Sequence, residues 1–132
     1  MKNNFKNYLT KNQINLTKQR LQIADLIFIK NQHFTAIDLI KKIKKLKIHI
    51  SQATIYNTLS LFESKGLLKI INLDSEQKFY DTNLNHHHHI FNLNDNSLLD
   101  INENRISFLK LPKLPDSTEL EKTEVLIKVK NK

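Results

Sequence analysis

The chain has no cysteine among its 132 residues. Disulfides, thiolate zinc sites and cysteine nucleophiles are excluded together, which leaves His, Asp and Glu as the only strong metal ligands. No apolar run approaches the roughly 20 residues that span a bilayer. The opening Met1-Lys2-Asn3-Asn4 lacks the apolar segment of a signal peptide, so a soluble cytoplasmic protein without membrane contact is expected. Acid is scarce in one half only. Residues 1–71 carry thirteen basic side chains against Asp25, Asp38 and Glu63, a net charge of +10, whereas residues 72–132 carry eight basic and ten acidic side chains, a net charge of −2. A half with that excess suits contact with phosphates. The heavy use of Lys, Asn and Ile points to a compositional bias that would supply lysine, but such a bias does not explain why acid fails to match it.

At this length the chain holds one ordinary domain or two very small ones that lean on a partner. With one glycine and two prolines, helix starts are better signposts than breakers. A short first helix is expected over 5–12. Thr17 opens a second, with Leu21, Ala24, Ile27 and Phe28 on one face and Asn31 and Gln32 ending it. Thr35-Ala36-Ile37-Asp38 matches a capping box. It starts a third helix with Ala36, Leu39, Ile40, Ile43 and Leu46 inward and Lys41, Lys42, Lys44, Lys45 and Lys47 mostly outward. Ser51 is the expected N-cap of a fourth helix over 52–65, with Gly66 as its left-handed terminator. Strand-like runs over 67–73 and 77–83, separated by Asp74, Ser75 and Glu76, read as a hairpin.

Three helices followed by a hairpin is the order of a winged helix, and it supplies no crossover for a parallel sheet. Beyond it, 86–93 and 97–101 read as strands around the Asn94-Asp95-Asn96 turn. A short helix is expected within 102–111, an irregular stretch around Pro112 and Pro115, and a last strand in which Val125, Ile127 and Val129 alternate with Leu126, Lys128 and Lys130. The expected fold is therefore α+β, with a winged-helix DNA-binding domain over 1–83 and a small α/β dimerisation and sensing domain over 84–132. A sheet that small exposes apolar residues unless a second copy covers them, so a homodimer is expected.

The fourth helix has two faces. Ile55, Leu59 and Phe62 form an apolar stripe, and Ala53, Tyr56, Asn57 and Ser60 lie opposite. The second set reads either as an ordinary solvated face or as a base-reading one, since Asn pairs with adenine and Ala or an aromatic edge touches a thymine methyl. Its place between a basic helix and a hairpin favours the second reading.

His86-His87-His88-His89 reads either as a solvated polar strand or as a metal site. Strand geometry allows His87 and His89 to share one ion while His86 and His88 point away.

Leu16-Thr17-Lys18-Gln19-Arg20 resembles the Leu-Thr-x-Gln-Arg motif of the ferric uptake regulator family. Ser51-Gln52-Ala53-Thr54-Ile55-Tyr56-Asn57-Thr58-Leu59 is similar to that family's recognition helix. Most members carry Arg after the Tyr, whereas Asn57 is typical of the iron response regulator branch. The likeness continues through Tyr80-Asp81-Thr82-Asn83, the histidine run, Leu111-Pro112-Lys113-Leu114-Pro115 and the last strand. The resemblance implies a regulator that binds double-stranded DNA as a dimer. Tyr56 would contact bases, with Asn57, Ala53, Thr54 and Ser60 on the same helix and Lys18 and Arg20 nearer phosphates.

The resemblance also implies one regulatory site of His33, Asp81, His87, His89 and Asp100 for a divalent metal, whether Fe²⁺, Mn²⁺ or Zn²⁺. Haem on His87, His88 and His89 is the alternative use in the iron response regulator branch. The family's four structural-zinc cysteines and its C-terminal helix are missing, and no His follows His89. With a three-residue turn at 94–96, regular pairing would put Asp100 on the face opposite His89, so a shared face requires another turn length or a bulge. A metallohydrolase would use the same His/Asp set but gives the basic half no role. A metal-independent winged helix binding RNA or protein is the other alternative.

Overall fold

Local capping decides where the helices begin. In the computed structural model, which describes residues 5–73, 76–107 and 110–132, α1 is Lys6–Lys11 and buries Leu9. Thr17 is extended and its hydroxyl accepts from the Arg20 N–H at 3.1 Å, opening α2, Lys18–Ile27. This satisfies one of the donors every helix start leaves open. Both halves of the Thr35/Asp38 capping box form, at 3.1 and 3.0 Å, at the start of α3, Ala36–Lys45. Ser51 caps α4, Gln52–Ser64, and Gly66 follows it at φ +78°.

Three expectations about helix ends need correction. α2 stops at Phe28, and Gln32 serves that end from outside by donating its side-chain amide to the Leu26 and Ile27 carbonyls. α4 stops one residue short of the expected Lys65. Leu46 is 51% exposed because α3 ends at Lys45 and Lys47 turns left-handed, so residue 46 leaves the inward stripe.

The chain divides into two compact units, Met1–Leu84 and Asn85–Lys132. In the first, Leu9, Ile23, Ala24 and Ile27 pack with Leu39, Ile43, Ile55, Leu59 and Phe62 as one core. A three-stranded sheet lies in the same unit, in the order β1-β3-β2: β1 is His33–Thr35, β2 Lys69–Ile71 and β3 Phe79–Asp81, and both pairings are antiparallel. The hairpin forms, with shorter strands than expected, because Leu67 and Leu68 join the helical core instead. Of its turn, Asp74 and Ser75 lie outside the described residues. β1 had no sequence signal, since three residues are too few to display alternation.

The second unit is the sheet β5-β4-β6, with β4 His87–Asn92, β5 Leu98–Asn102 and β6 Leu126–Val129. β4 runs antiparallel to β5 and parallel to β6. The parallel pair was not anticipated; the long stretch 103–125 supplies the crossover such a pair needs. The helix expected within 102–111 is instead a 3₁₀ turn, Glu103–Arg105, followed by extended backbone at Ile106. Phe108 and Leu109, in the same range, lie outside the described residues. Leu99, Ile127 and Val129 are exposed on this small sheet. No helix among the described residues is long and apolar enough to cross a membrane.

Gly66 has nothing within 4 Å of where a Cβ would stand, so only its backbone conformation resists substitution. Gly66→Ala is expected to cost about 1 kcal/mol and Gly66→Asn less, read as a shift in the urea midpoint at unchanged slope.

Candidate functional site

Strand alternation sorts the histidine run. His87 and His89 share one face of β4, with ring centroids 4.6 Å apart. The turn to β5 is longer than expected. Phe91 pairs with Leu98, and the Asn92 N–H donates to the Ser97 carbonyl, so residues 93–96 form a four-residue loop. Its shape comes from local polar side chains. The Asn92 amide oxygen accepts from Asn94 N–H, the Asp95 carboxylate accepts from Ser97 N–H, and Asn96 adopts φ 59°. An even loop brings Asp100 directly opposite His89 without a bulge. One carboxylate oxygen of Asp100 then lies 3.5 Å from His87 Nε2 and 3.4 Å from His89 Nε2.

The chemistry of this trio is constrained further. His87 Nδ1 is 2.6 Å from the Asn85 carbonyl, which can only accept, so Nδ1 carries the proton. His87 Nε2 is the ring nitrogen turned toward the Asp100 carboxylate. His89 Nε2 is turned toward the same carboxylate oxygen. The Nδ1–H···O=C bond is also the contact that orients a metal-ligating imidazole. Two nitrogens and a carboxylate oxygen, all within 4.8 Å of one another, fit one divalent ion. Asn85 escaped the sequence reading because it acts through its backbone, where side-chain identity carries no signal.

The other face of β4 has a different task. His88 is 2% exposed, and its Nδ1 accepts from the Val125 N–H at 3.0 Å, fastening the segment that leads into β6. Burial, reinforced by the neighbouring His86, pushes the His88 imidazole below its ordinary pKa, and the neutral ring is the form that can accept. His86 stacks edge-on against His88 and lies 4.0 Å from Glu103.

In the first unit, His33 and Asp81 are register partners across β1 and β3. Asp81 is 1% exposed, and its carboxylate accepts from the Asn83 N–H at 2.9 Å. α4 buries Ile55, Thr58, Leu59 and Phe62 and presents Ala53, Tyr56, Asn57 and Ser60 to solvent. Thr54 is half-buried and accepts from the Ser51 hydroxyl, so it serves the cap. Lys18 is exposed, whereas the Arg20 guanidinium donates to the Asn15 carbonyl at 2.7 Å and steadies the loop before α2.

Residues 11–127 match the ferric uptake regulator family. The chain belongs to that family. A ferric uptake regulation protein of Synechococcus elongatus is 37% identical over 79 residues, which cover 57% of this chain and 54% of that protein. The peroxide-responsive repressor PerR of Staphylococcus epidermidis is 30% identical over 82 residues, covering 62% of this chain and 55% of the repressor. The chain thus spans about half the length of the curated relatives it matches. These relatives are a regulation protein and a repressor rather than hydrolases. The fold is shared with the ferric uptake regulator of Francisella tularensis solved with iron, at TM-score 0.73 and 24% identity, over 90% of this chain and 92% of that one.

The division of labour on β4 predicts opposite outcomes for adjacent residues. His88→Ala is expected to cost roughly 1–3 kcal/mol of stability, since it orphans a partly buried N–H. His89→Ala should leave the metal-free protein's denaturation midpoint nearly unchanged. Denaturant titration of both apo variants checks this.

Proposed function

We propose that this member of the family is a metal-responsive transcriptional regulator of the cytoplasm, binding operator DNA as a homodimer. A winged helix over 1–83 reads the DNA, and residues 84–132 form the dimerisation and sensing domain. The observation that carries the metal reading is that His87 Nε2 and His89 Nε2 converge on one Asp100 carboxylate oxygen, at 3.5 and 3.4 Å. The full ligand set we propose is His33, Asp81, His87, His89 and Asp100, and each unit on its own holds its share on one strand pairing. These five donors would hold the ion, which would supply a Lewis-acidic anchor, and Fe²⁺, Mn²⁺ and Zn²⁺ all suit a mixed imidazole and carboxylate set. With ligands on both units, their relative orientation follows metal occupancy, and so does the fit of two α4 helices to adjacent major grooves.

A bare ion is favoured over haem because His88 is committed to Val125 on the opposite face from His87 and His89. Asn57, where the family usually has Arg, supports the iron response regulator branch. On α4, Tyr56 and Asn57 are the proposed base readers, flanked by Ala53 and Ser60. Lys18 meets phosphate.

Protein purified without a His-tag or metal resin should carry one divalent ion per chain, and the metal-independent alternative predicts none. His89→Ala should abolish metal-dependent DNA binding with the apo melting midpoint little changed, while folded His88→Ala keeps the response. Identical behaviour of the two variants toward Fe²⁺ or Mn²⁺ would sink the proposed ligand set.

On DNA, Tyr56→Ala and Asn57→Ala should each lose roughly 1–3 kcal/mol of base discrimination. Lys18→Ala should weaken all sequences alike and flatten the salt dependence by about one. Equal loss on operator and random DNA for the Tyr56 variant would mean that α4 does not read bases. Sedimentation at micromolar concentration should give a dimer, and a monomer alone would remove that part of the proposal.

A further inference from the structure

The register of β1 and β3 runs His33↔Asp81, Phe34↔Tyr80, Thr35↔Phe79, so the next position outward sets Gln32 opposite Thr82. The rung there is half backbone and half side chain. The Thr82 N–H donates to the Gln32 carbonyl at 3.0 Å, as a regular ladder requires. The returning bond runs from the Gln32 N–H to the Thr82 hydroxyl, also at 3.0 Å. The side chain thus replaces its own carbonyl in the ladder. The hydroxyl proton has acceptors in reach, the Gln32 carbonyl at 3.2 Å and the Lys30 carbonyl at 3.3 Å, so donor and acceptor capacities are both used. With this substitution the chain can turn out of the sheet at residue 82 and still close the last rung. Gln32 is itself held, since its amide donates to the Leu26 and Ile27 carbonyls at 3.1 and 3.0 Å.

A two-bond rung at 32/82 makes the adjacent pair the non-hydrogen-bonded kind, with Cα atoms about 4.5 Å apart and side chains at their closest. That pair is His33 and Asp81. β1 has only three residues, too few to hold its own register. Its far end runs into the Thr35/Asp38 capping box, and its near end has the Gln32–Thr82 clasp.

We propose that Thr82 is a positioning residue for the metal ligands His33 and Asp81, an inference that rests on the metal reading above. Thr82 ligates nothing. Its hydroxyl closes the rung beside the two donors and fixes their separation and direction. A metal set tolerates little error in ligand placement, and loss of an outer-shell partner typically weakens metal binding by about 10- to 100-fold.

The experiment uses the full chain with Co²⁺ as the probe, read by its visible absorption, and with apo melting measured alongside. Thr82→Val keeps the shape and removes the hydroxyl, whereas Thr82→Ser keeps the hydroxyl. Thr82→Val is expected to bind Co²⁺ about tenfold or more weakly and with an altered band, and Thr82→Ser should restore both. Should valine prevent folding, Thr82→Ala replaces it under the same criteria.

The proposal is overturned if the hydroxyl-less variant matches wild type, if its loss is no larger than its unfolded fraction accounts for, or if Thr82→Ser binds no better. A wild-type chain that takes up no Co²⁺ removes the metal reading together with this inference. Wild-type uptake with an indifferent Thr82→Val removes the inference alone.

Discussion

A β-strand shows only every second side chain to a given face, and the chemistry of the second unit depends on how β4 meets that constraint. Four identical side chains in a row acquire two roles by position alone. His87 and His89 converge on one carboxylate oxygen of Asp100. His88 is buried as a neutral acceptor and joins β4 to the approach of β6. A sheet with few buried apolar residues thus spends a histidine on cohesion. The same alternation keeps the polar trio together on one face.

The first unit meets the opposite demand, since it carries a large positive charge and must still fold. Its answer is to keep the cations outside a dense apolar core. On α3, Lys41, Lys42, Lys44 and Lys45 are all exposed while Leu39 and Ile43 are buried behind them. The helix dipole helps here, because three of these lysines occupy the last turn, where the carbonyl ends of the peptide dipoles favour positive charge. The basic face therefore costs the helix little, and it remains available to a polyanion.

Signals that act within three or four residues were legible in the sequence. Thr17, the Thr35/Asp38 box, Ser51 and Gly66 all sit where their chemistry predicted, because a cap is a contract between near neighbours. The α4 stripe was legible for the same reason. Features that depend on distant partners were not. β1 exists only because β3 is there to pair with it, β6 joins β4 across a crossover, and the rung between Gln32 and Thr82 spans fifty residues of chain. Among the described residues, the helix expected within 102–111 gives only a 3₁₀ turn, whose start Asn102 caps by accepting from the Asn104 N–H. Of the candidate site, donor identities were readable from motif resemblance, whereas the Asp100 face hung on the loop between β4 and β5.

That loop gives the sheet something like a reading frame. While residues 93–96 number four, Asp100 stands across from His89. One residue gained or lost either has to be absorbed inside the loop or slips β5 by a single place, and a slip of one turns every side chain to the other face. Leu99 or Ile101 would then stand opposite His89, and a polar trio would become two imidazoles against a hydrocarbon. The loop residues are exposed to solvent, yet their number decides by parity which face of β5 meets the histidines. Within that count the side chains at 94 and 95 hold the loop's shape, Asn94 by accepting from the Asn131 N–H and Asp95 by accepting from the Ser97 N–H.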